Sequence, residues 1–187
     1  MCSLKEKINQ KSLKIVAFLA MQLGASCLCL HAYAATSTSD MNVTANINAN
    51  CTMSNNDLDF GDYDATGLNI TEDLTTTAII STTCTSGTTG VVTMSGGSHF
   101  TYCISSKCHR RMANIEETSY LNYNIYTNES YSWGSVWSDN PSRPKEVGHV
   151  VGSGVSKDLT VYGRIPKNQK TVAAGSYTDE VNITLTY

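Results

Sequence analysis

Positive charge is scarce beyond Lys14, apolar residues nowhere recur at sustained helical spacing, and no apolar run reaches the roughly 20 residues that a membrane-spanning helix needs. Each absence removes a class of protein. Past residue 34, nine Lys and Arg stand against fifteen Asp and Glu, a net charge near −6, and the one tight basic cluster is Lys107, Arg110 and Arg111. Phosphate backbones are held by clustered cations, so nucleic acid is not an expected partner. Nucleophilic catalysis needs a serine or cysteine beside a base that a third group orients. The same stretch offers only His99, His109 and His149 and no Gly-x-Ser-x-Gly elbow, so neither an enzyme nor a cofactor is expected.

What is present begins with an export signal. Lys5, Lys7, Lys11 and Lys14 precede a mostly apolar run from Ile15 to Leu30, and Ala32-Tyr33-Ala34 supplies a small-x-small cleavage pattern. Residues 1–34 therefore read as a cleaved signal peptide that sends the chain out of the cytoplasm, to the periplasm and the cell surface. A lipid-modified Cys27 or Cys29 fits less well, because Gly24 and Ser26 stand three residues before them, where an aliphatic residue belongs. The remaining 153 residues are enough for one domain with a sizeable core.

Four cysteines remain after cleavage, Cys51, Cys84, Cys103 and Cys108. An even number in an exported chain implies disulfides, and four cysteines allow three connectivities. Cys51 with Cys84 and Cys103 with Cys108 is the favoured pairing, because the latter two are close in sequence and the former two close corresponding strands. The 34-residue loop from Cys51 to Cys84 would contribute about 2–4 kcal/mol, chiefly by restricting the unfolded chain. His99, Cys103, Cys108 and His109 could also form a tetrahedral zinc shell, but thiols in an oxidising compartment favour the disulfide.

Period-two alternation runs through the rest. Met41, Val43, Ala45, Ile47, Ala49 and Cys51 occupy successive odd positions opposite Asn42, Thr44, Asn46, Asn48 and Asn50, the pattern of a long strand with one buried face. Leu74 to Cys84 repeats it and places Cys84 in phase with Ala78 and Ile80. Further strands are predicted at Val91–Met94, Tyr120–Thr127, Asp158–Arg164 and Thr178–Tyr187, with turn-rich stretches such as Ser95-Gly96-Gly97-Ser98 between them. Tyr131 to Gly154 reads as an irregular loop with room for one short strand. About six or seven strands punctuated by turns predict an all-β, immunoglobulin-like sandwich.

The two ends complement each other. Val181, Ile183, Leu185 and Tyr187 alternate on one face of the last strand with no returning hairpin, and proteins rarely leave a long apolar edge uncovered. Residues 35–40 are polar and lead into the alternating segment, so that segment could reach out of its own domain and pair with the margin of another copy.

These residues, taken in order, resemble the spore coat protein U domain family, which includes the subunits of archaic chaperone-usher pili. The likeness runs from about Met41 to Tyr187. It rests on Cys51, Leu58-Asp59-Phe60-Gly61-Asp62-Tyr63, Ile79-Ile80-Ser81-Thr82-Thr83-Cys84, Gly96-Gly97, Arg111-Met112, Leu121-Asn122-Tyr123-Asn124-Ile125-Tyr126, Trp133-Gly134, Tyr162-Gly163-Arg164-Ile165 and Gly175-Ser176-Tyr177-Thr178-Asp179. The resemblance implies an incomplete sandwich completed by a donated strand. A periplasmic chaperone would cover the gap, and an outer-membrane usher would exchange it for the next pilin subunit. Residues 35–47 would be the donor segment and 48–187 the pilin domain. Met41, Val43, Ala45 and Ile47 would be the donor residues, and Val181, Ile183, Leu185 and Tyr187 would border the acceptor groove. The Cys103–Cys108 loop departs from the pattern.

Other features read as structural. Asp57, Asp59, Asp62 and Asp64 lack the glycine and distal glutamate of a calcium-binding helix-loop-helix and fit turns. Asn-x-Ser/Thr triplets at Asn42, Asn69, Asn128 and Asn182 are expected by chance in this composition. Tyr126, Tyr131, Trp133 and Trp137 read as packing under a loop before a binding patch. The leading expectation is a fibre subunit, both strand donor and strand acceptor, serving adhesion or biofilm formation. A secreted coat or matrix protein is the alternative, and a tip adhesin fits less well, since a single domain with a donor-like start is expected here.

Overall fold

A computed structural model describes residues 35–187, and the signal-peptide and lipidation readings lie outside them. The described part of the first compact unit, residues 35–44, is without helix or strand. The second unit, Ala45–Tyr187, holds all the regular structure among the described residues.

That structure is all-β. In chain order the strands are β1 (Cys51–Asn55), β2 (Leu74–Cys84), β3 (Thr89–Met94), β4 (Cys103–Ile104), β5 (Lys107–Cys108), β6 (Arg110–Asn114), β7 (Tyr120–Tyr126), β8 (Gly148–Val151), β9 (Lys157–Ile165), β10 (Tyr177–Thr178) and β11 (Ile183–Thr186). Six form one antiparallel sheet in the order β1-β2-β9-β7-β6-β10. Three form a second in the order β11-β3-β8, and β4-β5 is a separate hairpin. Ala78, Ile80, Leu121, Ile125 and Val161 of the first sheet pack against Val92, Met94 and Val150 of the second, so the two sheets enclose one core in an immunoglobulin-like sandwich.

Alternation explains the long strands. In β2 the even-numbered residues Ala78, Ile80, Thr82 and Cys84 are buried, and Thr75, Thr77 and Thr83 between them turn away or lie half-exposed. Leu74 pairs with Ile165 and Thr82 with Lys157 along the whole length of β9. Cys51 lies directly across from Cys84, and the two are joined.

Two expectations are revised. The alternating segment ending at Cys51 is not a buried strand: β1 starts at Cys51, and Met41, Val43 and Ile47 are 85%, 88% and 83% exposed. Alternation supplies a face to bury, but a strand also needs a partner for its ladder. The single strand expected at Thr178–Tyr187 is two, β10 and β11, which belong to different sheets and are separated at Asp179–Asn182. The segment Tyr131–Gly154 holds the one short strand for which it had room, β8, together with a 3-10 turn at Trp133–Ser135 and the fully buried Trp137, whose indole Nε1 donates to the Val92 carbonyl at 3.0 Å.

Candidate functional site

The sandwich is open along one side. Residues Asn55–Thr66, which leave β1, form one wall of a cleft, and the chain from Val172 through β10 to Ile183 forms the other. Two continuous hollows of about 560 and 680 Å³ share Leu58, Phe60, Met112 and Tyr177. The floor of the first is the core itself: Ala78, Ile80, Met94, Tyr123, Ile125 and Val161. Apolar side chains that the surrounding elements bury are thus reachable from a gap between two extended walls.

The first wall lies flat against the large sheet because β9 carries a glycine there. A Cβ on Gly163 would sit 2.8 Å from Phe60 Cζ and 2.9 Å from Leu58 Cδ2, so only glycine lets the wall approach this closely. Phe60 meets Tyr123 edge-on, with ring centroids 6.0 Å apart. The chain turns at Gly61, whose φ of +65° favours glycine and whose N–H donates to Asp59 Oδ1 at 2.9 Å. Asp64 then accepts from the backbone N–H groups of Thr66, Gly67 and Leu68, which hold its carboxyl below the ordinary aspartate range. These carboxylates form turns.

The second wall is anchored by a buried polar network. Asp179, at the break between β10 and β11, accepts from Tyr123 Oη at 2.7 Å and from the N–H groups of Ser98 and His99 at 2.8 and 3.2 Å. Burial, then the bond to Asp179, pushes the Tyr123 hydroxyl far above the usual phenol range. Beside it Arg110 is fully buried. It donates to the carbonyls of Ser95 (Nε, 3.0 Å) and Trp137 (Nη2, 3.0 Å) and to Asn124 Oδ1 (Nη1, 2.8 Å), and burial lowers its pKa to about 10.

Strand β11 is an edge. It pairs with β3 from Ile183 opposite Met94 to Thr186 opposite Val91, and its other side has no ladder partner among the described residues. Val181, Ile183 and Leu185 pack against the core, and Thr184 and Thr186 are exposed. Val181 and Ile183 line the cleft. Leu185 sits farther along the same face, and Tyr187 is 54% exposed beside Gly90 and His149 in a shallow hollow of its own. Met41, Val43, Ala45 and Ile47, expected as donor residues, are all exposed.

The remaining candidates separate. Cys103 is bonded to Cys108 across the β4-β5 hairpin, whose turn residues Ser105 and Ser106 both have positive φ, the two-residue turn that matches strand twist. His99 Nδ1 faces Asp179 Oδ1 at 3.2 Å, and His109 stacks between Tyr102 and Trp133. The four residues do not converge on one point. Sequence reasoning passed over Asp179, Tyr123, Arg110 and Gly163 as individuals, because a buried polar group or an obligatory glycine is defined by neighbours that are distant in the chain.

An all-β sandwich with one open edge is the class of protein that this geometry defines. The profile of the Spore Coat Protein U domain matches residues 37–184, and the chain belongs to that family. It is 32% identical over 135 residues to Protein U of Myxococcus xanthus, covering 70% of this chain and 71% of that protein. Among solved structures it is similar to the CsuC–CsuE chaperone–tip adhesion subunit pre-assembly complex from archaic chaperone-usher Csu pili of Acinetobacter baumannii. There the TM-score is 0.48 at 19% identity, covering 75% of this chain and 40% of the matched one.

Proposed function

We propose that this chain is a structural subunit of a chaperone-usher-type surface pilus, that it polymerises by donor-strand exchange, and that its fibre serves adhesion or biofilm formation. One observation carries the reading: a cleft of about 560 Å³ with core residues for its floor and, on one wall, Val181 and Ile183 where the edge strand β11 begins. A foreign extended segment laid along that edge gains ladder hydrogen bonds and drops alternate side chains onto Ile80, Ile125 and Val161. Residues 35–47 have the matching form, with Met41, Val43, Ala45 and Ile47 exposed at every second position.

Met41, Val43 and Ile47 at about 1.5–3 kcal/mol each supply about 4.5–9 kcal/mol of apolar burial, and Ala45 adds less than about 1 kcal/mol. Ordering the segment costs about 1–2 kcal/mol per residue, so main-chain hydrogen bonds and closure of the open core contribute the rest of the driving force. A subunit with a cleft that opens onto its core also calls for a periplasmic chaperone before assembly and for an outer-membrane usher to exchange it. Residues 1–34 serve as the export signal, 35–47 as donor and 48–187 as the acceptor domain. The family's name supports a second reading, a coat or matrix protein built on the same sandwich.

Size analysis of the exported chain with and without residues 35–47 separates the two. Polymerisation gives heat- and detergent-resistant ladders that vanish on truncation. A stable monomer indifferent to truncation overturns the pilus reading and favours the coat protein.

A further inference from the structure

β7, β9 and the loop after β7 surround a further hollow of about 510 Å³, which shares Tyr123 alone with the open cleft. Tyr102, His109 and Trp133 form a ladder of rings there, with centroids 4.3 Å apart between Tyr102 and His109 and 4.7 Å between His109 and Trp133. Tyr102 is 52% exposed and Trp133 39%. His109 covers one side of the Trp133 ring and Lys107 Nζ lies 5.2 Å from its centroid, and the partly exposed remainder of Tyr102 and Trp133 leaves aromatic surface in solvent that gains by burial.

The loop that carries Trp133 also carries Tyr131, and it is held rigidly and under strain. Tyr131 has φ +48°, a left-handed conformation that a bulky residue rarely adopts, and such outliers gather at functional sites. Its ring stands edge-on to Tyr126 at 5.4 Å and to Tyr162 at 6.5 Å. The hydroxyls of Ser130, Ser132 and Ser135 bond one another within 3.1–3.3 Å, and Ser130 N–H donates to Asn128 Oδ1 at 3.0 Å. Polar bonds inside the loop hold it in shape, so Tyr131 and Trp133 stand in place before any ligand arrives, which lowers the entropic cost of binding.

No Asp or Glu lines the hollow, and its partly exposed cation, Arg164, is ion-paired outside the lining with Asp73. Arg164 lies against both Tyr126 and Tyr131, with its Cζ 5.3 and 5.6 Å from the two centroids. Nη2 of Arg164 donates to Tyr126 Oη at 3.1 Å and Nη1 lies 3.4 Å from Asp73 Oδ2. Its Nε has no partner among the described residues.

We propose that this hollow binds a pyranose unit of an acidic polysaccharide, a hexuronate in particular. The C–H face of a pyranose is apolar and carries slight positive charge, which suits the face of Trp133 or Tyr131. The phenols, the indole N–H, His109 and Asn122 offer donors and acceptors to the ring hydroxyls. The guanidinium of Arg164 takes the carboxylate by charge-assisted hydrogen bonds. Of the residues that line the hollow only Tyr123 also lines the open cleft, so Trp133, Tyr131, His109, Asn122 and Arg164 can be changed without touching the cleft.

The test titrates the full exported chain with tetragalacturonate, read by calorimetry and by the emission of Trp133, with cellotetraose as the neutral control. The expected result is saturable binding that is at least about tenfold weaker for the neutral sugar, and at least about tenfold weaker for Trp133→Ala and for Arg164→Gln. Tyr131→Gly removes both the ring and the strained φ, and is expected to lose affinity while retaining cooperative unfolding. Trp133→Phe keeps a stacking face, so it retains most of the binding should Trp133→Ala fail to fold. No saturable signal from the unmodified chain overturns the proposal, as does equal affinity for the neutral sugar or an affinity that Arg164→Gln and Trp133→Phe-controlled Trp133→Ala both leave unchanged.

Discussion

Tyr123 and Asp179 show how one hydrogen bond can position a wall of the cleft. Asp179 sits where the chain passes from one sheet to the other, and its carboxylate gathers Tyr123 Oη and two backbone N–H groups from the Gly97–His99 turn. Tyr123→Phe keeps the ring against Phe60 and deletes the hydroxyl alone. A buried bond to a charged acceptor contributes about 1.5–3 kcal/mol, so this variant is expected to lose about that much in denaturant unfolding, with secondary structure retained. A loss within error would mean that water replaces the hydroxyl without cost. Arg110 works differently, since it faces carbonyls and an amide and no carboxylate bonds it directly. Its depressed pKa means that burial charges the folded state for keeping it protonated, and the several accepting oxygens offset that cost. Neither residue was legible as a network in the sequence: Tyr123 lay in a predicted strand and Asp179 at the start of another, with 56 residues between them.

Among the elements, strands with both alternation and a partner were legible. Leu74–Cys84 has the same bounds in the sequence reading and in β2, and β9 extends the expected strand by one residue at each end. Short strands were not, because β4, β5 and β10 have two residues each and no room for a period. The two disulfides act at this scale. Cys51–Cys84 ties the edge strand β1 to β2 and closes a loop of 33 in sequence separation, whereas Cys103–Cys108 closes one of 5. Chain-entropy arithmetic gives about 4 kcal/mol for the long loop and about 2 kcal/mol for the short one. Replacing both members of each pair by serine is therefore expected to lower unfolding stability more for Cys51 and Cys84 than for Cys103 and Cys108. Chemical denaturation of the two double variants checks the order, and the reverse order would mean that the β4-β5 hairpin holds more of the fold than its size suggests.

For the whole molecule, the proposed exchange divides the chain into a donor segment and an acceptor domain. Val43→Asp and Ile47→Asp put a charge on residues read as donors and leave the cleft intact, so they are expected to abolish polymer ladders while chaperone capture persists. Pull-down with the chaperone and gel analysis of ladders measure the two separately. Loss of chaperone capture in these variants would deny the division between donor segment and acceptor domain.

Composition, the even cysteine count and period-two alternation sufficed for an all-β class and for the longest strands, because those features depend on residues close together in the chain. Alternation at Met41–Ile47 and at Val181–Leu185 is equally plain in the sequence, yet the first is exposed outside any strand and the second packs on the core. That difference lies in the tertiary structure alone. Whether an apolar face is buried depends on which distant segment reaches it, as Leu58 and Phe60 reach Gly163, and no local pattern records where such a segment stops and leaves a gap.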